Sequence, residues 1–292
     1  MSVRTYNRSV RVGNWIEDIC LEEDTVKDHL ERRERGELLI QKASKLQGTI
    51  LKKTDLSVSV DGFVHFGDHV MLMNEEAQDQ VVTQTDIEPR QANALSVSMS
   101  ESKMHEALKF SGKCDVSSSK HLEPNARNTF VICSTLSEGV PLGTPLVYGQ
   151  HFCLRTLPGI GGDLMLQSDI ATFQQSAKKS RKQLLSCVEE TPSYLTHWKI
   201  LSFDPQIRME TEGLPVPANQ KIIFNHCKTN QDLCVISDFM VRTPFGREYE
   251  VVAYTELNSH KAETEVNHWI IKTGHPGDPA RQATTLPVGA QQ

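Results

Sequence analysis

Aromatic side chains are scarce: Phe, Trp and Tyr together make up 6% of the chain, and hydrophobic residues 38%. That is lean for a packed globule of 292 residues and implies extended arms or loops beside the core. Long apolar runs are missing too. None approaches the roughly 18 residues that span a bilayer, so no membrane-spanning segment is expected. Met1-Ser2-Val3-Arg4 leads into no apolar stretch of the secretory-leader kind, and the expected location is the cytoplasm. Basic excess is absent as well. The formal net charge is −6 and Lys and Arg form no long stripe, which argues against a nucleic-acid partner. Seven cysteines are scattered without a Cys-x-x-Cys, a pattern of reduced, mostly buried thiols rather than a disulfide framework.

Catalytic signatures are equally thin. Ser111-Gly112-Lys113-Cys114 lacks the upstream glycine and the hydroxyl of a phosphate-binding loop. Gly159-Ile160-Gly161-Gly162-Asp163 falls between two expected strands, whereas a dinucleotide loop must open a helix, so it reads as a turn. Neither Gly-x-Ser-x-Gly nor His-Glu-x-x-His occurs. His197, His226, Cys227, Cys234 and His268 lack the paired close spacings that zinc needs. No catalytic residue, cofactor or metal is therefore expected, and the chain reads as a non-enzyme.

What is present is a repeat. Gly67-Asp68-His69-Val70-Met71-Leu72, Gly149-Gln150-His151-Phe152-Cys153-Leu154 and Asn219-Gln220-Lys221-Ile222-Ile223-Phe224 share one pattern. Each has a Gly or Asn, suited to positive φ, followed by alternating apolar anchors. A second pattern follows at Leu95-Ser96-Val97, Leu164-Met165-Leu166 and Leu233-Cys234-Val235, spaced 69 residues apart each time. A third closes each unit: Asn128-Thr129-Phe130-Val131-Ile132, Thr196-His197-Trp198-Lys199-Ile200 and Asn267-His268-Trp269-Ile270-Ile271, with an aromatic two residues before an Ile. Three signatures in constant order at about 70-residue spacing predict a mainly β, pseudo-threefold closed structure. A β-trefoil-like core over 56–273 is the first expectation, with an irregular barrel or sandwich behind it.

Around that repeat, short helices are expected in insertions, at Ser100–Lys109 and Ser168–Cys187, and a hairpin turn at Pro244-Phe245-Gly246. The polar stretch Asn74–Gln91 reads as a loop. An N-terminal arm over 1–55 carries a charged helix from Leu21 to Arg35. In it Thr25-Val26-Lys27-Asp28 resembles a capping box, Asp28/Arg32 and Glu31/Arg35 are spaced to pair, and Leu21, Val26 and Leu30 form a thin apolar stripe. The tail over 274–292, with Pro276, Pro279 and Pro287, is expected to be extended or disordered. The densest basic cluster is Lys178-Lys179-Ser180-Arg181-Lys182. A solvated helix face is its plain reading, and docking to an acidic protein surface its functional one. A trefoil-like core would also suit a cytosolic glycan- or protein-binding module. The Trp residues, in His197-Trp198 and His268-Trp269, lack the Gln-x-Trp pattern of many trefoil lectins.

Several stretches carry a resemblance. Val12-Gly13-Asn14-Trp15-Ile16-Glu17-Asp18, Leu21-Glu22-Glu23, Gly36-Glu37-Leu38-Leu39-Ile40-Gln41, Gly67–Leu72 and Arg127–Ile132 resemble the cilia- and flagella-associated protein 161 family. The resemblance implies a microtubule inner protein of motile cilia, in the lumen of the B-tubule of axonemal doublet microtubules. Its implied partners are α/β-tubulin and neighbouring inner proteins, its role is to stabilise the axoneme for ciliary motility, and it brings no catalytic residues. Contacts would then rest on local spots: Trp15 as an apolar anchor, and Lys178, Lys179, Arg181 and Lys182 as basic ones.

Overall fold

A computed structural model describes residues 15–75, 92–104, 109–136, 139–189 and 191–274. The chain divides into two units, Met1–Lys45 and Leu46–Gln292. The expected tail beyond Gly274, most of the Asn74–Gln91 loop and part of the Ser100–Lys109 segment lie outside the described residues.

In the first unit, helix α1 spans Trp15–Arg35 and ends where Gly36, at φ +71°, takes the left-handed turn that closes it. Arg32 pairs with Asp28 at 2.8 Å and Arg35 with Glu31 at 3.1 Å, as the i,i+4 spacing predicts. The stripe of Leu21, Val26 and Leu30 is exposed. Thr25 caps nothing: it lies inside the helix, and its Oγ1 donates to the Leu21 carbonyl at 2.7 Å. A hydroxyl inside a helix has the carbonyl four residues back in reach and no free N–H to accept from. Helix α2, Leu39–Ile50, follows and runs across the boundary; its Leu46 and Ile50, both of the second unit, are buried.

The second unit is built of strands. The first third contributes β1 (His69–Asn74), β2 (Asn93–Ser98), β3 (Cys114–Ser119) and β4 (Thr129–Ser134), with a short helix α3 (Glu101–Met104) between β2 and β3. The second contributes β5 (His151–Thr156), β6 (Met165–Ser168), β7 (Gln183–Val188) and β8 (Trp198–Ser202). After helix α4 (Arg208–Thr211) come β9 (Lys221–His226), β10 (Gln231–Thr243), β11 (Gly246–Ala253) and β12 (Trp269–Lys272).

In each third the first strand pairs with the fourth (β1–β4, β5–β8, β9–β12), and each fourth strand pairs with the next first one (β4–β5, β8–β9, β12–β1). These six antiparallel pairings close a barrel with no free edge. The remaining strands form hairpins β2–β3, β6–β7 and β10–β11. The hairpins are tied to one another through β3–β7, β7–β11 and β11–β3. A closed barrel capped by a triangle of hairpins is a β-trefoil.

The repeated residues do the same job in each third. Gly67, Gly149 and Asn219 have φ of +93°, +80° and +59°. Their N–H groups donate to the carbonyls of Ile132, Ile200 and Ile271 at 2.8, 3.0 and 2.9 Å. The turn residue and the Ile two places after the aromatic are thus joined by one hydrogen bond, made three times. Further symmetry appears where the chain enters each first strand. Val64 N–H donates to Val216 O, Val216 N–H to Leu146 O, and Leu146 N–H to Val64 O, at 3.0, 2.8 and 2.8 Å. All three side chains are fully buried and shut one end of the barrel. Phe130, Trp198 and Trp269 are fully buried at matching places; the two indole N–H groups donate to Leu166 O at 3.1 Å and Leu233 O at 2.9 Å.

One expected element is replaced. No helix runs from Ser168 to Cys187: β6 ends at Ser168, a turn region follows, and β7 begins at Gln183. Ile170 and Phe173 have helical spacing but point to solvent. Leu185 and Cys187 are instead buried along a strand of which only Leu184 is half-buried. The Pro244-Phe245-Gly246 hairpin turn forms as expected, between β10 and β11.

Candidate functional site

The basic cluster therefore sits on the connection between β6 and β7, not on a helix face. Glu250 of β11 is buried, and its carboxylate accepts from the backbone N–H of Lys179 at 2.9 Å and of Ser180 at 2.8 Å. Arg181 follows at φ +59° and turns the chain back toward β7. The four cations have different fates. Lys178 Nζ pairs with Asp115 of β3 at 2.6 Å, and Lys182 Nζ lies 3.4 Å from the centre of the Tyr254 ring. Lys179 and Arg181 are exposed. Sequence reasoning could not separate these roles, because Asp115, Glu250 and Tyr254 come from other thirds of the chain.

Lys178 also borders a cleft of about 620 Å³ between the three hairpins. Val116, Leu185 and Val251 supply apolar walls, and Asp115, Glu250 and Arg242 supply charge. Arg242 was not singled out from the sequence. It is isolated there, and only the hairpin pairing brings it to the cap. Trp15, the other expected contact, is the first residue of α1.

With this geometry in view, a family model described as a cilia- and flagella-associated protein 161-like domain matches residues 42–274. Cilia- and flagella-associated protein 161 of Danio rerio is 44% identical over 284 residues, covering 97% of this chain and 93% of its own. The Mus musculus protein of the same name is 40% identical over 278 residues, covering 94% and 90%. This chain belongs to the cilia- and flagella-associated protein 161 family. Solved structures extend the likeness to fold alone. An SDF2-like protein from Arabidopsis thaliana aligns at TM-score 0.50 and 13% identity, over 72% of this chain and 94% of its own. A Caenorhabditis elegans protein of unknown function aligns at 0.51 and 15%, over 74% and 98%.

The residues matched by this family's model take in the whole barrel and its cap, including one buried ion pair. Arg127, just ahead of β4, meets Glu248 of β11 through two hydrogen bonds of 2.8 Å each. Its Nε donates to Val97 O at 3.1 Å, and its guanidinium stacks 4.0 Å from the centre of the Phe245 ring. Ser117 Oγ adds a 2.6 Å hydrogen bond to Glu248. Burial alone would raise the Glu248 carboxyl, but the hydrogen bonds and charge of Arg127 outweigh it and hold the group below its ordinary value. The pair fastens the tip of the β10–β11 hairpin to the first third.

In this member of the cilia- and flagella-associated protein 161 family, His197, His226 and His268 are engaged in packing. His226 bonds Thr229 Oγ1 at 2.8 Å and Leu195 O at 2.9 Å, and lies 4.9 Å from the Trp198 ring. His197 stacks near His151, and His268 meets Phe203 edge-on. Among the described residues, no three His, Cys, Asp or Glu side chains gather as metal ligands would. Burial pushes the Cys114 and Cys153 thiols to about 11 and Cys234 to about 12, so they are protonated and poorly nucleophilic near neutral pH. Among the described residues no helix is long and apolar enough to cross a membrane.

Proposed function

We propose that this chain is a structural microtubule inner protein. It binds the lumenal wall of the B-tubule of axonemal doublet microtubules, against α/β-tubulin and neighbouring inner proteins, and stabilises the axoneme for ciliary motility. The observation that carries this reading is membership of a cilia- and flagella-associated family across residues 42–274. The physics of the chain is consistent with it. A closed barrel with no free edge suits a spacer that must keep its shape under bending load. The charged helix α1, whose apolar stripe is thin and exposed, suits a surface that is covered on assembly.

The formal charge of −6 rules out bulk attraction to an acidic lattice, so attachment rests on local features. Trp15 serves as an apolar anchor in this account. Within the basic cluster, Lys179 and Arg181 make the outward contacts, while Lys178 and Lys182 shape the turn that presents them. Stepwise salt extraction of purified axonemes tests the assignment. The chain is expected to resist high salt and to leave only when the doublet wall dissolves. Release with the soluble matrix would overturn the inner-protein reading and restore that of a glycan- or protein-binding module.

A further inference from the structure

The β10–β11 hairpin places Arg242 directly opposite Arg247. Like charges facing each other across an antiparallel ladder destabilise it. Both side chains are exposed, and among the described residues neither guanidinium has an anionic partner. The nearby acids are committed elsewhere. Glu248 holds Arg127, Glu250 holds the turn at Lys179 and Ser180, and Asp115 holds Lys178. Asp238, in the bulge of β10, is the exposed exception. The repulsion cannot relax by fraying, because the hairpin tip is fastened through Phe245 and Glu248 to the buried Arg127.

Arg242 also lines the cleft between the hairpins, as does Lys178. Lys179 and Arg181 stand on the adjoining turn, and on β3's side Lys120 reaches over Tyr249, two residues from Arg247. Asp115 and Glu250 also line the cleft and balance Lys178 and Arg242, so the excess of positive charge on this cap comes from its exposed rim, from Lys179, Arg181 and Arg247. We propose that the hairpin cap is a docking site for an acidic polypeptide segment of a partner. The segment seats in the cleft and supplies the carboxylates that the Arg242–Arg247 pair lacks. The inference deepens the inner-protein reading and rests on it only for the cellular setting of the partner.

The test uses the purified full chain and a fluorescein-labelled glutamate-rich peptide, followed by fluorescence anisotropy over a salt series. Saturable binding that weakens with salt is expected. Arg247→Glu should weaken that binding about tenfold or more and at the same time raise the melting temperature, since an opposite-charge pair replaces a like-charge one. A purely structural role would not move the two readouts in opposite senses. Lys199→Ala, on the barrel wall, should change neither. Absent binding, binding indifferent to Arg247→Glu, a lowered melting temperature in that variant, or tighter binding of a single-stranded oligonucleotide would each overturn the proposal. The assay contains no microtubules, so its failure is separate from failure in the axoneme extraction. A chain that binds the peptide yet washes out of axonemes loses only the inner-protein reading, and the converse result loses only this one.

Discussion

At the scale of single residues, the pair Arg127–Glu248 sets the sharpest expectation. Removing one partner strands a buried charge, which typically costs about 3–5 kcal/mol, whereas replacing both with apolar groups of similar size is often neutral. Arg127→Met is therefore expected to lower the unfolding free energy by about that amount, and Arg127→Met/Glu248→Leu to recover most of it in the same urea titration. The pair also fixes a pH dependence. The Glu248 carboxyl is lower in the folded chain than its ordinary 4.5, so it contributes stability above that pH and loses it as pH falls through the folded value. Stability measured on acidification below about 4.5 should fall less steeply in Glu248→Gln than in the parent. None of this was legible in the sequence. Arg127 was noticed only as part of a family-like run, and its partner lies 121 residues away.

At the scale of elements, the strands that carry a repeated signature are legible in the sequence, whereas β3 and β7, which carry none, are not. β1, β5 and β9 announce themselves because a positive-φ residue precedes buried anchors at fixed spacing. β3 was not expected, since Cys114-Asp115-Val116-Ser117-Ser118-Ser119 has little apolar character. It is a strand because its neighbours β2, β7 and β11 satisfy its backbone and bury its serines. The β6–β7 connection reads as helical from Ile170, Phe173, Leu184 and Leu185, yet it is a turn region leading into a strand. What fixes that connection is Glu250, which reaches its backbone from another third of the chain. Glu250→Ala should release the turn while leaving the barrel folded. Limited trypsin digestion is then expected to cut after Lys179 or Arg181 faster than in the parent, with an unchanged far-ultraviolet circular dichroism spectrum. Equal digestion rates would show that the carboxylate does not hold the turn.

At the scale of the whole molecule, the threefold design was the legible part, because a repeat writes the same hydrogen bonds into the sequence three times. Gly67, Gly149 and Asn219 and their Ile partners are that record. The candidate docking surface was legible only in part. Its lysines form a run that is visible in one dimension, whereas Arg242, Arg247, Asp115 and Glu250 converge only once three hairpins meet. The asymmetry between thirds follows from the same physics. Core positions must repeat to close the barrel, and cap positions carry no such constraint. Occupancy of the B-tubule lumen is decided by subtomogram averaging of doublet microtubules from wild-type cilia and from cilia lacking the protein. Density the size of the barrel and cap is expected to disappear from inside the B-tubule wall. An unchanged lumen, or a loss confined to the outer surface, would contradict it.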